Sequence, residues 1–560
     1  FVRECVRVAF IQDDVYITLR YVANFVHGHG LVFNIGERVE GYTCFLWVMI
    51  LSAASLLSIG LEQAAQWLSV AFGVLSLFAA YALTRTIPSH ASGTPDKPSD
   101  TRREWLDLAV PLLLAFSGAF SFWSVSGMET PLFVFLVLAG LAVHFRDIRR
   151  TRPSVAFAVF MVAAALTRPE GALVFAVVVG SHFAFVLIER FGVAGGDRKL
   201  AVRAVLVETG LFAAPYAAFT LFRLFYYGYL FPNTFYAKTG MSSAYLSAGI
   251  IYFLGFAKAY ALYGALLVAP AALFVKKNIR YHAGVLYSIV VVYCLYVVMV
   301  GGDVLAIHRF FLPVLPLVYI LSVRTLELAV GGIGGRKSRV RIGFVVFWVL
   351  VAGFAWTVNN GEREKITASR HMELSLVHKM KRHAEWLDER REDEGRTIVV
   401  AATTIGALGY FSRATVIDML GLTDVHIAHH PKPIPDISGD ASVPWKEKNY
   451  NADYVLSRKP DYIIFSTGLK PSAYAERALF VQMGFFRDYY AQYVTFPNFP
   501  ESEIFYTRRD RSGMASAPPD TTGRHVSAKY IGLYIAALGL YNQFNAGKDP
   551  AVGEDRKSVV

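Results

Sequence analysis

Long apolar runs recur along the first 360 residues, near 43–60, 64–85, 108–125, 128–145, 154–167, 171–188, 203–224, 249–275, 283–300, 309–330 and 341–358. Apolar stretches of about 18 or more residues are long enough to cross the hydrocarbon core of a bilayer as helices. After residue 360 the pattern changes. Residues 361–395 are densely charged with helical spacing, and GRTIVVAAT (395–403) and KPDYIIFST (459–467) read as buried strands. The pattern predicts an α-helical polytopic membrane protein of about ten to eleven transmembrane helices over residues 1–360. A soluble extracytoplasmic α/β domain over 361–510 is expected to follow. Residues 511–528, rich in Ser, Pro, Thr and Gly, read as a linker, and the 511–560 segment ends in one helix.

Composition sharpens this picture. The chain has 560 residues, 54% of them hydrophobic, and a mean hydropathy of +0.40, too apolar for a soluble protein of this size. Its net charge of +12 sits in short clusters between the apolar runs, which points to membrane topology and away from nucleic acid. If the runs from 64–85 onward all cross, the basic loops at 84–104, 144–152, 189–203, 276–282 and 335–341 share the cytoplasmic face. The loops holding SGMETP (126–131), TRPEG (167–171), YYGYLFPNTFYAKTG (226–240) and GGDVLAIHR (301–309) then share the outer one. Asp13 and Asp14 join them if the 43–60 run lies at the interface or dips in and out. The chain opens at Phe1 with a segment too short and too charged to span, so a first spanning helix is expected upstream. No cleavable signal peptide is legible. Cys5, Cys44 and Cys294 lack the spacing of a disulfide framework or a zinc site.

The candidate chemistry lies on the outer side, where ionisable groups beside a membrane are costly and therefore functional by default. Asp13 and Asp14 precede an amphipathic stretch with Val15, Leu19, Val22 and Val26 on one face and Tyr16, Arg20 and Asn24 on another. One aspartate either caps this helix or serves as a general base. In the loop HGHGLVFNIGERVEGYT (27–43), Glu40 and Tyr42 can contact a hydroxylated substrate, Glu37 can be solvated, and Asn34 can close a turn. Arg20, Arg168, Lys238, His308 and Arg309 are the outer cations that could steady an anionic leaving group. Arg168 could instead cap a helix end, and Lys238 could snorkel to the interface. Glu129, Glu170 and Asp303 are the other outer carboxylates, and Asp303 can bind a sugar hydroxyl or orient His308. No cofactor is required by the pattern; a divalent cation with Asp13 is conceivable, although no spacing fixes one.

The motif DD-x-Y-I-x-x-R-Y-x-x-N, followed by G-x-G-L-V-F-N-x-G-E-x-V-E-G-Y-T and a tryptophan, resembles the first extracytoplasmic loop of polyprenyl-phosphate-dependent glycosyltransferases of the GT-C superfamily. It looks most like the mycobacterial terminal arabinofuranosyltransferase family and its pilin-modifying and bacterial relatives. SGMET, TRPEG, LFPNTFYAK, GGDVLAIHRF, GLTD (421–424) and YVLSRKPDYI (454–463) follow in that family's order, so the likeness covers residues 12 to 470. The chain departs from it in lacking the first helix and in carrying Cys44 where a polar residue such as Asn is expected. The resemblance implies a GT-C fold with a first outer loop at 11–42, in the cytoplasmic (inner) membrane with its active site facing the periplasm. It implies a polyprenyl-phosphate-linked sugar donor, possibly of arabinofuranose, and an envelope glycan or glycoprotein acceptor. It puts the base on Asp13 or Asp14 and the donor phosphate among Arg20, Arg168, Lys238, His308 and Arg309. Tyr16, Glu40, Tyr42, Glu129, Glu170, Asn233, Tyr236 and Asp303 then face sugar or acceptor. The rival expectation is a lipid-linked-sugar flippase or transporter without catalysis. Transporters place charges near the midplane and show inverted repeats, whereas these charges gather on one side.

Overall fold

The computed structural model describes residues 1–88, 101–147, 153–188, 198–238, 243–260, 264–275, 277–331, 337–432, 450–466, 471, 473–480, 482–494, 496 and 503–511. The linker and terminal helix expected at 511–560 lie outside these residues except for Arg511. The chain divides into two compact units. Unit 1 comprises Phe1–Gly30, Thr43–Leu230 and Met241–Val377; unit 2 comprises Leu31–Tyr42, Phe231–Gly240 and His378–Val560.

Unit 1 is helical. Six helices among the described residues are long and apolar enough to cross a membrane: Leu61–Thr86, Thr130–Asp147, Glu170–Leu187, Val202–Tyr227, Ile279–Met299 and Ile342–Glu394. Two bent pairs, Glu104–Phe116 with Gly118–Val125 and Ser243–Tyr260 with Ala265–Val275, raise the number to eight if each is one span. This is fewer than the apolar runs suggest, and the reasons are local. The run at 43–60 gives Phe45–Leu56, 12 residues, and the run at 154–167 gives Val155–Thr167, 13 residues. At 1.5 Å per residue these reach only about 18–20 Å, short of a ~30 Å core. The 108–125 run breaks at Ser117, whose hydroxyl accepts from Phe120 N and starts a new helix. Large apolar side chains stay exposed on the long helices, among them Trp67, Phe78, Phe225, Val349 and Trp356. Such a surface suits lipid.

The last apolar run and the charged stretch after it form one helix, Lys337–Glu394. It contains no proline, so nothing stops it at residue 360, where composition shifts. At 58 residues it is about 87 Å long, far more than a span needs.

One helix pair shows how tightly unit 1 is built. Val155–Thr167 and Glu170–Ile188 turn back on each other at Arg168–Pro169. A Cβ on Gly171 would come within 2.4 Å of the Ala164 carbonyl carbon and the Ala165 nitrogen, both backbone atoms that cannot swing away. Gly171→Ala is therefore expected to cost about 1–3 kcal/mol or more. The check is the unfolding temperature of the purified protein, with Gly180→Ala as control, since a Cβ there meets nothing within 4 Å.

Unit 2 holds a five-stranded sheet in the order β2-β1-β3-β5-β4. The strands are β1 (Val399–Ala402), β2 (Thr415–Asp418), β3 (Tyr462–Ile464), β4 (Tyr489–Val494) and β5 (Glu503–Arg508). β1 pairs parallel with β2 and β3, and β5 pairs antiparallel with β3 and β4. The helix Gly406–Ser412 makes the crossover from β1 to β2. Ala401, Ile417, Ile463, Phe465, Phe485 and Tyr506 form the core. β1 and β3 lie within the two apolar stretches read as strands. β2, β4 and β5 had no such run to mark them.

Candidate active site

The site begins at the N-terminus of the helix Asp13–Val26. The N-cap is Gln12, in extended conformation, with no side-chain cap bond. Gln12 N donates instead to the Ser126 carbonyl at 3.1 Å. Asp13 and Asp14 thus occupy the first turn, where the helix dipole favours carboxylates, and neither is the cap. They differ in surroundings. Asp13 is buried and has partners of its own. Asp14 is half-buried and, among the described residues, has no hydrogen-bond or ion-pair partner; the charges of Arg309 and Glu373 are the ones it meets. One turn on, the Tyr16 hydroxyl donates to Glu62 Oε1 at 2.6 Å, and Arg20 is buried.

Three loops carry the other candidates, and the first, SGMET, meets this turn through the Ser126 carbonyl. In SGMET, Ser126 Oγ donates to the Trp123 carbonyl at 2.9 Å and accepts from Met128 N at 3.3 Å. Gly127, at φ +84°, turns the chain so that its carbonyl accepts from Trp47 Nε1 at 3.2 Å. This sets Glu129 ahead of the helix Thr130–Asp147. In TRPEG, Arg168 closes one helix in extended backbone and Glu170 opens the next. Arg168 Nη1 lies 2.7 Å from Glu129 Oε1 and Nη2 lies 3.2 Å from Glu170 Oε1, all three side chains being about nine-tenths buried. In GGDVLAIHR, Arg309 meets Asp303 through Nε at 2.8 Å and Nη2 at 3.2 Å. Its Nη1 reaches Met128 Sδ at 3.1 Å, and its guanidinium lies over the Trp123 ring at 5.4 Å. Arg168 and Arg309 each sit 5.2 Å from the Phe310 ring centroid, so one aromatic ring is shared by two cations.

The third loop carries backbone strain. Ile307 and His308 have φ of +62° and +48°, a left-handed conformation unusual for a β-branched residue. It is held by Trp123 Nε1 donating to the Ile307 carbonyl at 3.0 Å. Strain of this kind persists where surrounding structure over-determines it, and it clusters at functional sites. His308 packs between Tyr252 and Tyr260. Burial, followed by the Lys365 charge, pushes its imidazole down to about 4. His308 is therefore neutral near pH 7 and brings no positive charge to a phosphate.

The arginines expected as phosphate cations are already paired, Arg168 with two carboxylates and Arg309 with one. Pairing fixes each guanidinium in direction while leaving N–H groups over, since arginine carries five. The structure adds a residue the sequence reading passed over. Glu373 is buried, within reach of the Gln12 side chain and the charges of Asp13, Asp14 and Arg309. It sits in the densely charged helix, where nothing in spacing singled it out. Among the described residues the single set of three ligand-bearing side chains with ligand atoms within 4.8 Å of one another is His144, His182 and Glu208, elsewhere in unit 1.

The remaining candidates belong to unit 2. The Asn34 side chain pairs with an edge strand: Nδ2 donates to the Val416 carbonyl at 2.8 Å, and Oδ1 accepts from Val416 N at 3.0 Å. It does more than close a turn. Asn233 Nδ2 donates to the carbonyls of Gly421, Leu422 and Asp424 at 2.8, 3.1 and 3.2 Å, and Asn233 N donates to the Glu40 carbonyl at 2.9 Å. Its amide is thus spent on the GLTD turn. Tyr236 lies 4.2 Å from the His429 ring, Glu40 and Tyr42 are buried, and Arg458 pairs with Glu37 at 3.1 Å. Lys238, at the end of the helix Asn233–Lys238, also falls in unit 2. Asn34→Ala leaves a buried strand edge unpaired and should cost unit 2 about 1–3 kcal/mol. Protease sensitivity of the 378–511 region in the intact protein is the readout.

The chain is 29% identical over 399 residues to a terminal β-(1→2)-arabinofuranosyltransferase of Corynebacterium glutamicum, covering 63% of this chain and 54% of that one. It is 30% identical over 270 residues to the enzyme of the same name from Mycobacterium tuberculosis, covering 46% and 40%. The chain is thus similar to two terminal arabinofuranosyltransferases. The likeness to terminal arabinofuranosyltransferases read from the sequence motifs agrees with these two relatives. The match spans only about half the length of these curated relatives or less. Residues 366–516 match a family described as a domain of unknown function (DUF8728), and Glu373 falls inside it. Among solved structures, an oligosaccharyltransferase from Archaeoglobus fulgidus, tethered to an acceptor peptide containing the NVT sequon, aligns with 90% of this chain and 72% of its own at a TM-score of 0.49 and 12% identity. A score and identity of that size decide nothing about activity.

Proposed function

We propose that this chain is an integral membrane glycosyltransferase that moves arabinofuranose from a polyprenyl phosphate to a hydroxyl of an envelope glycan or glycoprotein. We place the reaction at the outer face of the cytoplasmic membrane; the basic loops gathered on the other side support this. The observation that carries the proposal is the half-buried Asp14 carboxylate, without a hydrogen-bond or ion-pair partner among the described residues and within the electrostatic reach of the fixed guanidinium of Arg309. A base needs a free carboxylate within reach of the acceptor, and a departing phosphodiester needs fixed positive charge.

The acceptor hydroxyl gives its proton to Asp14 as its oxygen bonds to the anomeric carbon. The bond from that carbon to the phosphate oxygen breaks, and polyprenyl phosphate leaves with the electron pair. Arg309 and Arg168 face the growing charge with N–H groups already oriented by Asp303, Glu129 and Glu170. Asp13, buried and partnered, holds the helix turn in place. Unit 2 guides the acceptor chain. The flippase reading is not favoured, since the curated relatives are named as transferases.

The test uses purified protein in lipid nanodiscs with synthetic polyprenyl-phosphoryl arabinofuranose and an arabinan oligosaccharide. The expected product is acceptor heavier by one pentose. No pentose gained by any glycan acceptor, together with translocation of the same donor across the bilayer of sealed proteoliposomes, would overturn the proposal.

A further inference from the structure

A second buried polar cluster lies in unit 1, remote from Asp14. His144 is in the last turn of Thr130–Asp147, His182 in Glu170–Ile188 and Glu208 in Arg198–Tyr227. His144 and His182 are 15 and 12 residues beyond Glu129 and Glu170, so they sit about 22 and 18 Å further along the same helices. All three side chains are buried, at 2%, 6% and 3% exposure, and one ligand-bearing atom from each lies within 4.8 Å of the others.

Their other contacts leave polar atoms over. His144 Nε2 shares a hydrogen bond with the Tyr281 hydroxyl at 2.8 Å, and Glu208 Oε1 accepts from Ser154 N at 2.8 Å. His182 Nδ1 and Glu208 Oε2 have no hydrogen-bond partner among the described residues. Buried polar atoms in a folded protein are nearly always satisfied, and each exception asks for an unseen partner. Both atoms belong to residues whose ligand-bearing atoms converge with that of a second imidazole, and one ion that takes a lone pair from each of the three residues would answer the need.

We propose that His144, His182 and Glu208 bind one Zn²⁺ ion. Two imidazoles and a carboxylate form a known zinc donor set, whereas Mg²⁺ and Ca²⁺ take all-oxygen shells. The partners behind the ligands are of the kind that orient a metal site: Tyr281 on His144, and the Ser154 amide on Glu208. Ser154 also donates through Oγ to Asp147 at 2.8 Å, which keeps a further carboxylate close and offsets the ion's charge. The ion ties together the three helices that carry its ligands. The proposed role is structural, at the end of the bundle opposite the transfer chemistry.

The test is metal content of the full chain, purified in detergent with a tag free of histidine. The protein is dialysed against micromolar zinc and then against metal-free buffer. Wild type and Asp14→Asn are expected to retain about one zinc per chain, and His182→Gln and Glu208→Gln to fall below about a tenth. Replacement by Co²⁺ should give the visible bands of a low-coordinate site in wild type. That spectrum decides the matter if either variant proves too unstable to purify as a single species. Zinc below about a tenth per chain in wild type, or full zinc in both ligand variants, overturns the proposal.

Discussion

Asp14→Asn lowers the rate of sugar transfer by about 10²–10⁴-fold while donor binding changes little. An amide of the same shape keeps the first helical turn but cannot take the acceptor proton. Asp14→Glu should retain more activity than Asp14→Asn, since the proton acceptor is kept and only its reach alters. Asp13→Asn should act differently. Asp13 is buried with partners of its own, so its loss weakens the turn and lowers the unfolding temperature along with activity. Turnover at saturating acceptor, donor affinity by direct binding and unfolding temperature, measured on the three variants, separate the two roles. Equal turnover in wild type and Asp14→Asn would remove Asp14 as the base.

The second large effect falls on Arg168. Arg168→Leu leaves Glu129 and Glu170, with side-chain exposures of only 7% and 6%, without the cation that pairs with both. Breaking one side of a buried ion pair costs about 3–5 kcal/mol. Arg168→Leu should therefore lose both stability and transfer. The triple variant Arg168→Leu/Glu129→Gln/Glu170→Gln removes the stranded charges. It should regain much of the stability and none of the transfer, because the cation that faces the phosphate is still missing. Recovery of transfer in the triple variant would show that Arg168 serves only the fold.

Much of this site was legible as sequence. SGMET, TRPEG and GGDVLAIHR stand out as polar turns between apolar runs, and Asp13, Asp14, Glu129, Arg168, Glu170, Asp303 and Arg309 do meet in unit 1. Pairing was not legible. Nothing in spacing says that Arg309 faces Asp303 six residues back, or that Arg168 in one turn faces Glu129 in another. The fate of 31–42 and 231–240 was also hidden. These segments sit between membrane helices in the sequence, yet Asn34 and Asn233 are spent on β2 and the GLTD turn nearly 200 residues or more away. Such long-range use of side-chain amides leaves no periodic trace. Nor did composition reveal that the final apolar run continues into the charged helix carrying Glu373, because a helix crosses a polarity boundary freely when no proline intervenes.

The most direct test is a structure of the protein in nanodiscs with a non-hydrolysable phosphonate analogue of polyprenyl-phosphoryl arabinofuranose. The phosphonate oxygens should lie within hydrogen-bond distance of Arg309 or Arg168, with the anomeric carbon turned toward Asp14. A phosphonate lodged elsewhere, with Asp14 remote from the sugar, would contradict the account.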